Sequence, residues 1–417
     1  MNIDSSEVAV DRALTRLART TDQVVTLSQL RERLLSGRQL VMKYGVDLTA
    51  PHLHLGHAVN LWAYRELQEL GHRCVLLLGD FTTRIGDPTG KSKTRPVLTA
   101  EEIQTNADAI LKQALTILID DPSVLEVRRN SEWLNTVTPA QLLTTLSQVT
   151  VERLLSRDMF RRRMQGGSPI AVNEFLYPVL QGWDSVCLQA DLTIIGTDQL
   201  FNEMIGRYLQ ERQSMSPQVV MTTKITPGLD GIEKQSKSLG NYVAVDHAPR
   251  EKFGRLMRLP DHLVREWLLV YSDLGESAID RIIALADESP IATKLQMAKA
   301  IVARYHGSDT ASEELQWFES TFSRRETPSD VPVMPWAAAQ GSTYDLARQA
   351  LDASFSNAQV RRLITQGGVE FDGEKLQDLD QLASIAVGGS ILKIGKRRWF
   401  RVIVQPATGD GDAGGLA

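Results

Sequence analysis

Cysteine is scarce in this sequence. The 417 residues include two, Cys74 and Cys187, and each lies in an apolar stretch. Buried, reduced thiols are the usual state of such cysteines outside disulfide-rich secreted proteins. A structural zinc ion needs four ligands, and no cluster of cysteine and histidine supplies them. The sequence therefore predicts neither a disulfide nor a tightly bound, protein-ligated metal ion.

Long hydrophobic runs are also missing. No stretch approaches the roughly 18 apolar residues that a membrane-spanning helix needs. The N-terminal sequence MNIDSSEVAVDRALTRLART lacks the basic start and apolar block of an export signal. We therefore expect a cytoplasmic protein that does not cross a membrane.

An excess of positive charge is absent as well, since the formal net charge is -5. This balance disfavours non-specific binding of nucleic acid by the whole surface. Basic residues do gather locally, in RDMFRRRM (157–164), QVRRL (359–363) and KRRWFR (396–401). Such runs usually form solvated surfaces, so their place in the fold has to decide whether they bind RNA.

The apolar pattern predicts an α/β fold. QLVMKYGVD (39–47) is typical of a strand, NLWAYRELQELG (60–71) of an amphipathic helix and RCVLLLGD (73–80) of a buried parallel strand. A right-handed crossover places the turn at 48–58 at the carboxyl end of the sheet, where ligands bind in such folds. Further strands of the same sheet are expected at 191–196 and 218–224.

Composition and periodicity divide the chain into six predicted parts. The stretch ETPSDVPVMPWAAAQGS carries three prolines and no period, which is typical of a linker. The parts are an N-terminal helical segment (1–34), a Rossmann-like parallel-sheet domain with a connecting insertion (35–246), an α-helical domain (247–325), the linker (326–342), a small α+β module (343–405) and a disordered tail (406–417).

Histidines are few, seven in total, yet three lie in HLHLGH (52–57). Because His54 and His57 are three positions apart, both imidazoles project from one face if the turn is helical. Gly56 lets a ligand approach the backbone, and the free N–H groups of a helix start favour an anion. This motif alone leaves open a pair of structural histidines, while a metal site would lack its third ligand.

Four other segments carry polar residues at spacings suited to binding. IGDPTGK (85–91) is a turn, and EFLYPVLQGWDSV (174–186) places a tyrosine, a glutamine and an aspartate on one helical stripe. IGTDQ (195–199) ends an apolar strand, and KQSKSLGNY (234–242) is a loop suited to a polyphosphate. Taken alone, each is more often a plain turn, helix face or solvated loop.

In this order the five segments resemble the tyrosyl-tRNA synthetases, a family of class I aminoacyl-tRNA synthetases, over about residues 35–404. The resemblance rests on an HIGH-type sequence (HLGH), the IGDP-T-GK turn, the Y-x-x-x-Q-x-x-D helix, the GTDQ strand end and a KMSKS-type loop (KQSKS). SFSNAQVRRLITQGGVEFDG (354–373) is similar to the S-four-like RNA-binding module of bacterial members.

The resemblance implies a tyrosine–tRNA ligase. Such an enzyme activates L-tyrosine with ATP, accompanied by Mg²⁺, to tyrosyl-adenylate and pyrophosphate, and then transfers the tyrosyl group to the 3′ end of tRNA(Tyr). Family members imply a homodimer in the cytoplasm, with anticodon binding by the helical domain. No covalent enzyme intermediate is needed, so catalysis rests on positioning and electrostatic stabilisation.

The resemblance also implies residue roles. The catalytic residues would be His54 and His57, which stabilise charge on the α-phosphate of ATP, and Lys234 and Lys237, which hold the pyrophosphate. ATP would be bound by Asp47, Thr49, Gly56, Asp198, Gln199, Ser236 and Ser238. Tyrosine would be bound by Gly45, Thr82, Asp87, Tyr177, Gln181 and Asp184, the last of these accepting the phenolic hydroxyl. RNA would be bound by Arg361, Arg362, Lys396, Arg397 and Arg398.

The sequence departs from the family pattern in several places, while both lysines and both serines of the KMSKS-type loop survive. The departures are Lys43 for a tyrosine of one branch, Leu48 for a proline, Thr83 and Arg84 for a glycine and an apolar residue, Ile195 for a glycine and Gln235 for a methionine. We expect Ile195, Thr83, Arg84 and Trp183 to border the amino acid pocket.

Other functions stay open at this point. A specialised or inhibitor-resistant copy could act on a modified tyrosine. An adenylyltransferase with an H-x-G-H site would not charge tRNA, but it would have no use for the helical domain and the RNA module. A silent RNA-binding paralogue would have lost the histidines or lysines that this chain retains. We expect an ordinary tyrosine enzyme.

Overall fold

The computed structural model describes residues 2–88, 98–286, 289–323, 331–351, 355–395 and 398–405. The predicted tail at 406–417, Lys396, Arg397 and the last three residues of the 85–91 turn lie outside the described residues. The chain divides into two compact units, Met1–Glu314 and Leu315–Ala417. Within the described part, no helix combines the length and apolar character needed to cross a membrane.

Six strands of the larger unit form one sheet. They are β1 (Thr21–Val25), β2 (Val41–Asp47), β3 (Arg73–Gly79), β4 (Leu125–Arg129), β5 (Leu192–Gly196) and β6 (Val219–Thr223). The strand order is β1-β6-β5-β2-β3-β4, and all neighbours are parallel except β1 and β6. The chain runs outward from β2 to β3 and β4, then returns to its other side through β5, so a topological switch point lies between β2 and β5. The predicted α/β fold with a parallel sheet is confirmed.

The first strand was not expected, because the sequence at 1–34 predicted helix alone. The segment TDQVV forms β1, which pairs antiparallel with β6 at the edge of the sheet. Its β-branched residues suit an extended strand, and β6 offers an unpaired edge. Pairing with a segment about 200 residues away, as between Thr21 and Thr223, cannot be read from local periodicity.

Within the described residues, fourteen α-helices lie in the larger unit and a fifteenth begins in it. They are α1 (Glu7–Ala18), α2 (Leu27–Leu35), α3 (Leu55–Glu69), α4 (Ala100–Ala114), α5 (Ser131–Leu134), α6 (Pro139–Leu146), α7 (Val151–Leu155), α8 (Asp158–Gln165), α9 (Val172–Cys187), α10 (Leu200–Arg212), α11 (Pro249–Leu256), α12 (Val264–Tyr271), α13 (Glu276–Ala284), α14 (Pro290–His306) and α15 (Ser308–Phe318). The stretch predicted as helical from 247 onward is helical as described, but α11 to α14 belong to the same compact unit as the sheet.

The main core lies between the sheet and helices α1 to α4. Strand residues such as Met42, Leu76 and Ile194 pack with helix residues such as Leu61 and Ile110, and all five are buried. Burial of a side chain of this size stabilises the fold by about 1.5–3 kcal/mol. This core holds the strand ends in fixed positions.

Helices α9 and α10 pack unusually close together at two glycines. A Cβ atom on Gly182 would lie 2.9 Å from the backbone nitrogen of Gly206, so a larger residue there would push the helices apart. Next to this contact, Trp183 packs with Val179 and Ile205 in an apolar cluster. The close approach fixes the polar stripe of α9 against α10.

The two cysteines are free thiols, as predicted, but they differ in burial. Cys74 on β3 is buried, whereas Cys187 is exposed, so the expectation of burial was wrong for Cys187. Cys187 is the last residue of α9, so its exposure goes with its position at the end of the helix.

The smaller unit is built around a second sheet. Its elements are β7 (Val333–Trp336), β8 (Gln340–Ser342), α16 (Thr343–Ala350), α17 (Asn357–Thr365), β9 (Val369–Phe371), β10 (Glu374–Leu376), β11 (Leu382–Ser384), β12 (Ser390–Ile394) and β13 (Arg398–Val404). The order β10-β9-β12-β13-β7 makes a five-stranded sheet, and β11 pairs with β8. Val360, Ile364 and Val402 are among the residues of its core.

The structure places two strands, β7 and β8, inside the range 326–342 that the sequence predicted as a linker. Strand β7 pairs in parallel with β13, and Pro335 lies opposite Ile403. A proline is tolerated there because β7 is an edge strand, where a missing N–H breaks no ladder bond. The module therefore includes residues from Val333 onward.

Candidate active site

A cavity of about 330 Å³ lies at the carboxyl ends of β2, β3 and β5. Its walls contain predicted site residues from all five sequence segments. These residues are Gly45, Asp47, Thr49, His54, Gly56, His57, Thr82, Asp87, Tyr177, Gln181, Asp184, Asp198, Gln199 and Lys234. They are far apart in sequence and meet here because parallel strands end at the same edge of the sheet.

The histidine pair forms the start of α3. The backbone N–H of His54 donates to Nδ1 of His57 at 3.2 Å, so the side chain at the third helical position closes the helix start as an acidic residue does in a capping box. This bond explains why α3 begins at Leu55 and not at 60, the start that its apolar pattern predicted. Since Nδ1 of His57 accepts, the ring carries its hydrogen on Nε2 and can donate from there.

The rings of His54 and His57 lie against each other, with centroids 3.9 Å apart. Nδ1 of His54 is buried and has no hydrogen-bond partner among the described residues. A Cβ atom on Gly56 would lie 3.0 Å from the His54 ring, so any larger residue would displace it. The glycine therefore leaves room for the His54 imidazole, whose Nδ1 can still form a hydrogen bond with a ligand.

Both imidazoles are neutral at neutral pH. Burial, together with the nearby charge of Lys237, lowers the pKa of His57 to about 3. Burial and the adjacent His57 ring also hold the pKa of His54 well below its usual value. The pair therefore acts through hydrogen bonds from neutral rings and not as two cations.

Three predicted residues, Ser236, Lys237 and Ser238, do not line the cavity. They belong to the loop at 234–242, in which the hydroxyl oxygens of Ser236 and Ser238 are 2.9 Å apart and the Ser236 N–H donates to Asn241 Oδ1 at 2.8 Å. Lys237 still acts on the site through its charge, which lowers the pKa of both histidines.

The same loop is tied to the site at two points. Lys234 Nζ lies 2.7 Å from Asp198 Oδ2, which joins the loop to the end of β5. Gln235 is buried and donates through Nε2 to the Tyr271 hydroxyl at 2.8 Å. Gln235, which replaces the expected methionine, thus anchors the loop to α12 by a hydrogen bond.

Asp184 is a buried carboxylate at the floor of the cavity. Trp133 Nε1 donates to Oδ1 at 2.8 Å, and Asn130 Nδ2 donates to Oδ2 at 3.3 Å. The pKa of Asp184 is raised to about 7, chiefly by burial, while the charge of Lys43 and then the two hydrogen bonds limit the rise. The carboxylate can accept a further hydrogen bond from a ligand hydroxyl.

A second group of polar side chains lines the wall from β2 to α9. The Tyr177 hydroxyl donates to Asp47 Oδ2 at 3.0 Å, and Thr82 Oγ1 donates to Asp47 Oδ1 at 2.8 Å. Burial and the charge of Asp47 keep the pKa of Tyr177 well above its usual value, so Tyr177 stays protonated. Gly79 at the end of β3 leaves room for this cluster, since a Cβ there would lie 2.5 Å from Thr82 Oγ1.

Amide side chains connect this wall to the end of β5. Gln181 Oε1 accepts from Asn202 Nδ2 at 2.8 Å, and Asn202 also donates to Gln199 Oε1 at 2.9 Å. Gln199 in turn donates to Asp87 Oδ2 at 2.6 Å. These bonds fix which way each amide points and so place its oxygen or nitrogen toward a ligand.

Two departures from the family pattern compensate each other. The backbone N–H of Leu48, which a proline would lack, donates to Thr83 Oγ1 at 2.7 Å, and Thr83 donates to the Gly79 carbonyl at 2.6 Å. Both residues are buried, so the additional N–H of Leu48 requires a partner and Thr83 supplies it. These two residues act as a pair behind the wall of the cavity.

The expectation that four unusual residues border the cavity holds for Ile195 alone. Ile195 is buried and lines the cavity at the end of β5. Thr83, Arg84 and Trp183 are not in its lining. Thr83 is used by Leu48, Arg84 is exposed, and Trp183 packs in the cluster between α9 and α10.

Sequence reasoning missed three residues of the site. Asn130 and Trp133 hold Asp184, and Glu203 lines the cavity beside Lys43. Asn130 and Trp133 follow β4, and residues after a parallel strand were a signal that could have found them. Glu203 lies inside α10, where no local pattern marks it.

In the smaller unit, the described candidates for RNA binding are exposed. Arg361 and Arg362 lie on α17, and Arg398 begins β13. Arg361 lies over the ring of Tyr344 at 4.8 Å, and Arg398 lies over the ring of Phe355 at 4.5 Å. Exposed guanidinium groups beside aromatic rings are suited to contacts with phosphates and bases.

Comparison with known proteins agrees with this arrangement. A family model described as tRNA synthetases class I (W and Y) matches residues 35–323. A tyrosine–tRNA ligase of Oleidesulfovibrio alaskensis is 41% identical over 95% of this chain and 100% of its own length. One from Thermotoga maritima is 40% identical over 93% of this chain and 96% of its own length.

Solved structures agree at the level of the fold. A C-terminally truncated mitochondrial tyrosyl-tRNA synthetase of Aspergillus nidulans matches with a TM-score of 0.61, at 22% identity, over 75% of this chain and 94% of that one. A tyrosyl-tRNA synthetase of Archaeoglobus fulgidus, complexed with L-tyrosine, matches with a TM-score of 0.57 at 22% identity, over 73% of this chain and 99% of that one. With the site and the full-length relatives together, the chain belongs to the tyrosyl-tRNA synthetase family of class I aminoacyl-tRNA synthetases.

Proposed function

We propose that this chain activates L-tyrosine with ATP and transfers the tyrosyl group to the 3′ end of tRNA(Tyr). The observation that carries the proposal is the convergence of all five polar segments on one cavity, in a chain 41% identical to a tyrosine–tRNA ligase over nearly its whole length. In the first step the tyrosine carboxylate attacks the α-phosphorus of ATP and pyrophosphate leaves. In the second, a terminal hydroxyl of tRNA attacks the tyrosyl carbonyl and AMP leaves.

The phosphate end of the cavity is formed by the histidine pair and the loop at 234–242. His57 can donate from Nε2 to an α-phosphate oxygen without a charge of its own, and buried Nδ1 of His54 offers a second contact. Lys234 and Lys237 would neutralise the leaving pyrophosphate. Mg²⁺ enters as part of the ATP substrate, carried by phosphate oxygens.

The amino acid end of the cavity suits a phenol. Asp184 is held by two hydrogen bonds, and its carboxylate would accept the phenolic hydroxyl. Asp87, Tyr177 and Gln181 form the polar wall that would receive the substrate ammonium group. A substrate without the hydroxyl would leave Asp184 buried without that partner, which favours tyrosine over phenylalanine.

The nucleoside part of ATP would lie near β2 and β5. Asp47 ends β2 and Thr49 follows it, whereas Asp198 and Gln199 follow β5, and all four line the cavity. Asp198 is held by Lys234 in this structure, so the ribose hydroxyls would compete with that ion pair. We also propose a homodimer and a cytoplasmic location, and sizing in solution would test the dimer.

Binding of tRNA would use the helical part of the larger unit and the smaller unit. Arg361, Arg362 and Arg398 are exposed, and Arg361 and Arg398 also lie over aromatic rings, an arrangement suited to RNA contacts. Lys396 and Arg397 are proposed for the same role from their sequence position. An adenylyltransferase that does not charge tRNA would have no use for this surface.

The deciding experiment is ATP–pyrophosphate exchange with the purified protein, followed by charging of tRNA(Tyr). We expect exchange that depends on tyrosine, and its absence with tyrosine and close analogues would refute the proposal. Exchange without charging would favour the adenylyltransferase.

The same assay addresses the choice of amino acid. The cavity contains Ile195 where the family has glycine, together with the charged Lys43 and Glu203. We expect kcat/KM for tyrosine to exceed that for ring-substituted tyrosines. A modified tyrosine that is better by about tenfold, a difference of about 1.4 kcal/mol, would instead assign a specialised enzyme.

A further inference from the structure

A buried ion pair lines the cavity outside the five motif segments. Lys43 on β2 and Glu203 on α10 are each 1% exposed, and Lys43 Nζ lies 2.9 Å from Glu203 Oε2. Both residues belong to the cavity lining. They are 160 positions apart, so the sheet and α10 bring them together.

The polar atoms of the pair are engaged within the protein. Lys43 Nζ also donates to Ser185 Oγ at 2.7 Å, while Glu203 accepts from Gln181 Nε2 and from Gln218 Nε2, both at 2.8 Å. A ligand would find few sites left on either charge. A buried ion pair seldom makes a fold more stable than an apolar pair of the same size. Its effect on neighbouring site residues is therefore the better explanation for its presence.

Glu203 determines the orientation of Gln181. Because Gln181 Nε2 donates to Glu203, its Oε1 must point the other way, where it accepts from Asn202. The remaining lone pair of that oxygen is thus available to the ammonium group of an amino acid. With no acceptor at position 203, the amide could turn and present its nitrogen to a cation.

Lys43 acts on Asp184. It bonds the side chain of Ser185, the next residue along α9, and its charge opposes the effect of burial on the pKa of Asp184. Among the described residues, the other charged or titratable groups that interact electrostatically with Asp184 are Glu203 on α10, Tyr177 on α9 and Cys187 at the end of α9. The positive charge of Lys43 favours the carboxylate form of Asp184, and the negative charge of Glu203 disfavours it.

We propose that Lys43 and Glu203 are positioning residues of the amino acid pocket, in which Glu203 fixes the amide of Gln181 and Lys43 stabilises the carboxylate form of Asp184. The proposal rests on the proposed function, because it assigns Asp184 and Gln181 to the two polar ends of tyrosine. It extends recognition from the motif residues to a buried ion pair in the cavity wall outside the five motif segments.

The test measures KM for tyrosine, KM for ATP and kcat across the neutral pH range, by pyrophosphate exchange with full-length protein. The variants are Lys43→Met, Lys43→Arg, Glu203→Gln and the double variant Lys43→Met/Glu203→Leu. The double variant removes both charges together, so it avoids an unpaired buried charge and remains measurable if a single variant does not fold.

In the wild type, KM for tyrosine should rise as pH falls through the Asp184 pKa of about 7. Lys43→Met should move this midpoint upward by about one pH unit, and Glu203→Gln should move it downward. Lys43→Arg should restore the wild-type midpoint, and the double variant should fall between the wild type and Lys43→Met. The double variant, which leaves no hydrogen-bond acceptor at position 203, should also raise KM for tyrosine about tenfold, with KM for ATP nearly unchanged.

Two results would overturn the inference. The first is a pH dependence of KM for tyrosine whose midpoint does not move in variants that only unfold more easily. The second is an equal change in KM for tyrosine and KM for ATP. Either result would mean that the pair is purely structural. An inactive wild type would instead refute the proposed function, and this inference with it.

Discussion

Replacing Asp184 by asparagine should stabilise the protein while damaging its selectivity. Asp184 is 3% exposed, and burial raises its pKa from 3.8 to about 7. A folded-state pKa above the unfolded value means that the folded protein binds more protons in this window. The free energy of unfolding of the wild type therefore falls as pH rises from about 4 to about 7.

The magnitude follows from the same shift. A difference of about three pKa units corresponds to about 4 kcal/mol, and this is an upper bound because the site can relax. In the variant, the new side-chain N–H groups would face Asn130 Nδ2, which is itself a donor and donates to Thr82. Two donors that face each other without an acceptor cost about 1 kcal/mol. We expect Asp184→Asn to raise the free energy of unfolding by about 2 kcal/mol at about pH 8 and by little at about pH 4.

Urea unfolding, followed by tryptophan fluorescence at several pH values, measures this difference. Asp158→Asn is a matched control, because the Asp158 side chain is 73% exposed and its contact with Arg161 is a surface pair. A variant that is no more stable than the wild type at high pH, or a gain that does not depend on pH, would refute the reasoning.

Selectivity should fall in the same variant. Tyrosyl-tRNA synthetases are the known case of this filter, and as a family they reject phenylalanine by about 10⁵. We expect the ratio of kcat/KM for tyrosine to that for phenylalanine to drop by at least about tenfold, because the variant amide is a weaker partner for the phenol.

Three further predictions concern the phosphate site, the compensating pair and the smaller unit. His57→Ala or Lys237→Ala should lower the first-order rate constant of adenylate formation by about 10²-fold, with little change in tyrosine affinity. Pre-steady-state kinetics would measure both quantities. An effect on tyrosine affinity alone would contradict a role of these residues in stabilising the transition state. Thr83→Val should lower the free energy of unfolding by about 1–3 kcal/mol, because the buried Leu48 N–H loses its acceptor, and the loss should vanish in a Leu48→Pro background. Ending the chain near residue 330 removes the whole five-stranded sheet. This truncation should leave pyrophosphate exchange nearly intact, cut tRNA charging and reduce the salt dependence of tRNA binding. Equal loss of both activities would mean that the module supports the fold.

Much of the site could be predicted from the sequence because its residues follow strands. Apolar runs such as the one before Gly79 mark buried parallel strands, and the polar residues after them must gather at one edge of the sheet. The histidines at the start of α3 and the stripe of α9 obey local helical spacing. These relations involve residues a few positions apart, which is the distance over which a sequence pattern constrains geometry.

Local patterns were less informative where the partner comes from elsewhere in the chain. Strand β7 was hidden by prolines that an edge position tolerates, and β1 needed the edge of β6 before it could be a strand. Leu48 and Thr83 each looked like an isolated departure, but the fold places the hydroxyl of one 2.7 Å from the N–H of the other.

The residues around Lys43 show most clearly which features the sequence determines and which the tertiary structure decides. The sequence by itself determined that a lysine follows the first residues of a buried strand, and it could not say what would neutralise that charge. Only the tertiary structure brought Glu203 to it, by packing α10 against α9 through Gly182 and Gly206. A buried charge requires a partner, but the choice of that partner depends on packing between distant elements, which no local spacing encodes.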